Sequence, residues 1–195
     1  MTTRRILGKS LTLIVSVFFI QTAYAHSVQG GGLINGLMHP VFGPDHLLAM
    51  VAVGILSVQI GGKAIWTVPS AFLIFMLLGG ILGIKEIPFP AVETGIAASV
   101  LILGATIALA KTVPTLLAMV FVGLFGAFHG YAHGMEMPTV AEPALYASGF
   151  IISTACLHIA GVLIGLLSHR IPYGNIILRI LGACIAVIGV YILWG

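Results

Sequence analysis

The sequence predicts an all-α, polytopic membrane protein: a cleaved signal peptide followed by six transmembrane helices, the first broken at Pro40, Gly43 and Pro44. Three observations predict it. The 195 residues are 59% hydrophobic and 7% charged, where a soluble domain carries about 25% charge, and the mean hydropathy is +1.18. The apolar residues fall in six runs, each close to the roughly 17–25 residues that a helix needs to cross about 30 Å of hydrocarbon. The N-terminus has the three-part pattern of an export signal. With nearly every segment apolar, the chain has no room for a soluble domain.

Residues 1–25 read as the signal peptide. MTTRRILGKS is a basic leader, LTLIVSVFFI is an apolar core too short to span comfortably, and AYA before His26 satisfies the small-x-small cleavage rule. Cleavage leaves a mature chain that begins His26-Ser27-Val28 and forms one six-helix membrane domain over 26–195. The expected spans are 33–60, 66–84, 92–110, 114–132, 144–167 and 174–194. They end at GGK (61–63), IKEIPFP (84–90), KTVP (111–114), HGMEMPTVAEP (133–143) and HRIPYGN (169–175). No linker is long enough to separate domains.

Orientation follows from charge. A cleaved signal leaves the mature N-terminus outside, so the loops alternate inside and outside. The inside loops then hold Lys63, Lys111 and Arg170, with Arg179 nearby. The outside loops hold Glu86, Glu93, Glu136 and Glu142 against Lys85. Positive residues inside are the expected bias of a multi-pass protein of the bacterial inner membrane, and both mature termini fall on the periplasmic side. The net charge of +3 therefore reports orientation and gives no case for nucleic acid. Cys156 and Cys184 sit in apolar runs without CxxC spacing, so neither a disulfide framework nor a thiol metal site is expected.

Against this apolar background, HPVFGPDHLLAM at 39–50 stands out. It places His39, Asp45 and His46 beside two helix-disrupting prolines, and an ionised acid in hydrocarbon costs kilocalories. On a continuous helix His39 and His46 would share a face about 10 Å apart along the axis. Pro40 and Pro44 free the carbonyls of Gly36 and Pro40, and broken helices at membrane depth occur where the backbone lines a cavity. A second cluster, FHGYAHGME at 128–136, aligns His129, His133 and Glu136 on one face. Imidazole and carboxylate at this spacing are ligands for first-row metals. Gly126, Gly130 and Gly134 form a small-residue stripe for close helix approach. His158 lies in the middle of the fifth span. Cys156 and the methionines read as packing residues, His169 as interfacial, and Arg179 as an anchor that reaches the membrane surface.

At about 1.5 Å per residue, a straight first span would put His39 roughly 9 Å below the outer surface and Asp45 and His46 roughly 20 Å down. The expectation is a descending ladder: His133 and Glu136 at the mouth, then His129 and His39, then Asp45, His46 and His158. Such a series suits a divalent cation shedding its water.

HPVFGPDHLLAMVAVG and FHGYAHGME resemble the two signature motifs of the HupE/UreJ family of nickel/cobalt permeases. The likeness extends over the whole chain, including the signal peptide and the six spans. It implies import of Ni2+, or Co2+, for metalloenzymes, with His39, Asp45, His46, His129, His133 and Glu136 as functional positions. The sequence carries no nucleotide-binding motif, so the import is expected to be secondary, not ATP-driven. The ligand chemistry fits Ni2+, Co2+ and Zn2+ alike. The metal is cargo, and no resident cofactor, nucleic acid or obligatory protein partner is expected; the surrounding partner is lipid, and the oligomeric state stays open. An intramembrane metallohydrolase, for which HExxH is missing, and a non-transporting metal receptor are the alternatives. Two further expectations concern the whole chain. Spans one to three and four to six read as inverted repeats. After cleavage, His26 would join its α-amine to its imidazole as a bidentate chelate over the mouth.

Overall fold

The computed structural model describes residues 31–111, 113–136 and 143–194. The signal peptide and His26 lie outside the described residues, as does the side chain of Glu136. The described chain is all-helical, with α1 Gly32–Phe42, α2 Pro44–Ile60, α3 Ala64–Ile84, α4 Val92–Leu109, α5 Thr115–Glu136, α6 Pro143–Ser168 and α7 Gly174–Trp194. Five of these helices are long and apolar enough to cross a bilayer. The pair α1–α2, bent by 78°, makes a sixth when taken as one broken span.

The break falls at Gly43 alone. Its backbone is extended (φ −84°, ψ 107°), and the chain resumes as helix at the next residue. The expectation that Pro40 disrupts the span is corrected here, whereas Pro44 stands directly at the break, because a proline disfavours helical backbone in the residue before it. Helix α1 continues through Pro40. Pro44 occupies the first position of α2, where the missing N–H is one that no helix could satisfy.

Glycine sets how the helices pair. Helices α3 and α5 pack backbone to backbone: a Cβ on Gly126, Gly130 or Gly134 would collide with the carbonyl of Phe72, Met76 or Gly80 respectively. The small-residue stripe read from the sequence is this surface, and because its partners rise in register the two helices run parallel. The same close approach joins the first and fifth spans, where Gly54 meets the His158 backbone and Gly149 meets that of Leu33. In the antiparallel pair α4–α7, Gly104 and Gly182 abut.

These three pairings dominate the bundle. Exchanging the two halves turns the first–fifth pair into the fourth–second pair and leaves third–sixth unchanged, as a two-fold relation between halves requires. The halves also share a segment, LLAMVAVG at 47–54 and LLAMVFVG at 116–123. The charged loops separate to the two ends of the bundle. Lys63, Lys111 and Arg170 mark a basic end, and Glu86 and Glu93 mark an acidic one.

The buried core runs through α2 and includes Met50, Val53 and Ile55, with Phe72 and Met76 from α3 and Val100, Leu103 and Ile107 from α4. Outward-facing Leu77, Leu78, Ile81, Leu116 and Leu167 are exposed, as a surface solvated by lipid allows. Arg179 does more than reach outward. Its Nε donates to the Ala108 carbonyl at 2.9 Å, satisfying one of the open carbonyls at the end of α4.

Candidate metal site

The acidic end of the bundle gathers four histidines. The last turn of α1 supplies His39, the first turn of α2 supplies Asp45 and His46, and the last two turns of α5 supply His129 and His133. The break at Gly43 makes this possible. By turning the chain 78°, it folds His39 back beside the start of α2, and the two ring centroids lie 6.3 Å apart. His46 is the hub, with ring centroids 4.4 Å from His133 and 4.8 Å from His129. His39 lies 4.6 Å from His133.

The hydrogen bonds fix which nitrogens remain free. His46 Nδ1 donates to Asp45 Oδ1 at 2.6 Å, and the same oxygen accepts the His46 backbone N–H at 2.8 Å. His129 Nδ1 donates to the Phe125 carbonyl at 2.8 Å. Since a carboxylate or carbonyl can only accept, both rings carry a proton on Nδ1, and in the neutral imidazole each presents a bare Nε2. Among the described residues, neither Nε2 has a hydrogen-bond partner, nor does either nitrogen of His133, and all are buried. Buried polar atoms left without partners are costly and call for an explanation. A metal ion is the group that takes imidazole lone pairs while the opposite N–H is held by a carboxylate or carbonyl.

The surroundings are apolar. Phe150 packs at a tilt against His133 (3.9 Å between centroids), as Phe72 does near His129 (5.5 Å). A cavity lined by Met76, Gly80, His133, Tyr146 and Phe150 opens beside them, with room of about 100 Å³. Gly43 leaves space for the acid–imidazole pair, since a Cβ there would stand 3.1 Å from His46 Nδ1 and 3.2 Å from Asp45 Oδ1. Among the described residues, no three His, Cys, Asp or Glu side chains converge on one point in this conformation. The rings pack edge to face, and coordination requires them to rotate.

The ladder read from the sequence is therefore rearranged. A straight first span placed Asp45 and His46 far below His129, but the bend leaves α1 contributing little depth and brings His46 level with His129 and His133. His133, expected at the mouth, is only 3% exposed and belongs to the cluster. His158, expected beside Asp45 and His46, is not among them: its Nδ1 donates to the Met50 carbonyl at 2.8 Å and its ring contacts Phe72. Cys156, read as buried, is exposed. The acid–imidazole bond itself escaped the sequence reading, because neighbours on a helix point about 100° apart; at a helix start the acid can fold over its own first turn. Phe72 and Phe150 carried no sequence signal, since aromatics in spans are ordinary.

A family model described as HupE / UreJ protein matches residues 13–192. The protein described as Protein HupE, from Rhizobium leguminosarum bv. viciae, is 42% identical over 190 residues, which cover 96% of this chain and 98% of that protein. No solved structure matches.

Proposed function

Because the chain belongs to the HupE/UreJ family, we propose that it carries divalent first-row cations, Ni2+ first and Co2+ second, inward across the bacterial inner membrane without ATP hydrolysis. One observation carries the reading: four imidazoles from three helices meet within an apolar bundle, and among the described residues the bare nitrogens of three of them have no hydrogen-bond partner. Imidazole and carboxylate suit borderline divalent ions. Asp45 serves as the orienting group, holding His46 with Nε2 forward. His39, His46, His129 and His133 are the ligands that replace water.

The charge pattern turns the acidic end outward. Ions then enter where the glutamates lie and meet the histidines first. We extend the proposal to Glu136 and to the His26 amine–imidazole chelate as capture groups at that face. For a divalent ion the membrane potential alone supplies about 4.6 kcal/mol per 100 mV, so inward movement needs no further energy source. Purified protein in liposomes tests this. Uptake of Ni2+ into vesicles made inside-negative, above that of protein-free vesicles, is the expected result. Tight Ni2+ binding without uptake would instead favour a receptor or scaffold.

A further inference from the structure

His158 stands apart from the cluster, yet it is built as the ligand histidines are. It is 2% exposed, in the fifth span, at the seam where α6 meets α2. Its Nδ1 proton goes to the Met50 carbonyl, so in the neutral ring its Nε2 is a bare lone pair, and among the described residues that buried atom has no partner. Among the described residues its ring contact is with Phe72, at 5.0 Å between centroids. Phe72 is in turn the neighbour of His129, at 5.5 Å. One phenyl ring thus touches both the outer cluster and the isolated imidazole.

One turn along each helix, Thr154 Oγ1 lies 3.8 Å from Met76 Sδ. Thr154 and His158 are four residues apart on α6, as Phe72 and Met76 are on α3, so the four side chains form a matched strip between the two helices. A hydroxyl and a thioether are acceptors that a partly hydrated cation can use in passing.

We propose that His158 Nε2 is a second, inner ion station, separated from the four-histidine cluster by the Phe72 ring. The inference rests on the transport reading above and adds a step to it. An ion that has left the outer cluster passes Phe72 and is held by one imidazole. Holding it by fewer ligands favours release, since conduction requires binding strong enough to enter and weak enough to leave. The Phe72 backbone cannot yield, because Gly126 packs against its carbonyl. Passage therefore turns on rotation of the ring.

Two substitutions separate a ligand from a structural hydrogen bond. In His158→Asn the side-chain amide takes the place of Nδ1 and keeps the bond to Met50, but nothing replaces Nε2. In His158→Gln the amide reaches the Nε2 position, and the Met50 bond is lost. Ni2+ flux into liposomes and equilibrium Ni2+ binding to purified protein are measured for both, alongside the wild type. The expected result is a flux at least tenfold lower for His158→Asn, with binding within about twofold of wild type. His158→Gln should retain the larger flux of the two. Equal wild-type flux in both variants, or a higher flux in His158→Asn than in His158→Gln, overturns the inner station. Loss of binding in a correctly folded His158→Asn also overturns it, by joining His158 to the outer cluster. A wild type that binds Ni2+ but moves none overturns the transport reading itself, which is a separate outcome.

Discussion

Asp45 and His46 are neighbours in sequence whose side chains hydrogen-bond each other at 2.6 Å. Asp45 Oδ1 also accepts the His46 N–H, so one carboxylate oxygen fixes both the backbone and the ring of the next residue. The pair belongs to the start of α2, and the acid there also suits the positive end of the helix. In the proposed transport function Asp45 would act on the ion through His46.

Asp45→Asn keeps the shape of the side chain and weakens its hold on the ring. Ni2+ affinity is expected to fall about ten- to a hundredfold, the usual cost of losing a partner that orients a metal-bound histidine. Isothermal titration of purified protein checks this. Unchanged affinity would show that the acid orients nothing.

Glu136 and His133 should separate kinetically. His133 touches His39, His46 and Phe150 inside the cluster, so His133→Ala is expected to lower the maximal uptake rate at least tenfold. Glu136→Gln, changing the proposed capture group, should raise KM and leave the maximal rate nearly unchanged. Initial rates of Ni2+ uptake over a range of concentrations distinguish the two patterns.

The two residues at the break should respond differently. Pro44→Ala replaces a proline at a helix start, where its missing N–H costs nothing, and uptake should stay above half of wild type. Gly43→Ala brings a Cβ within 3.2 Å of both members of the acid–imidazole pair, and the Ni2+ affinity should drop several-fold while the protein remains folded. Binding and gel-filtration profiles of the two variants settle the contrast.

Gly130→Leu should cost more than either. Its Cβ would overlap the Met76 carbonyl, where overpacking costs about 1–3 kcal/mol or more. The expected readout is a lower melting temperature in detergent and less protein in the membrane. A melting temperature equal to wild type would mean that α3 and α5 separate more easily than their packing implies.

Most of the architecture was legible because hydrocarbon imposes it. Helix ends at Ile60, Ile84 and Trp194 fall where apolar runs stop, and Gly126, Gly130 and Gly134 announced a close helix contact. The residues of the cluster were legible too, since His39, Asp45, His46, His129 and His133 are polar groups in an apolar chain. Their depths were not. Arithmetic along a straight helix cannot see a 78° turn, and that turn alone moves His46 up to His129 and away from His158. Phe72 was invisible for a different reason: its role depends on which rings it touches, and a contact between α3, α5 and α6 leaves no periodicity in any one of them.

The glycine contacts also decide what can move. Where backbones touch, sliding one helix past the other would drive a carbonyl into a Cα, so each joined pair behaves as a single beam. The first and fifth spans form one beam, and the second and fourth form another. His39, His46 and His158 ride on the first; His129, His133 and Phe72 ride on the second. The histidine cluster is thus divided between two stiff bodies, like the jaws of a caliper. A small displacement between the beams changes the gap among the imidazoles and the seat of the Phe72 ring together, with every glycine contact left intact.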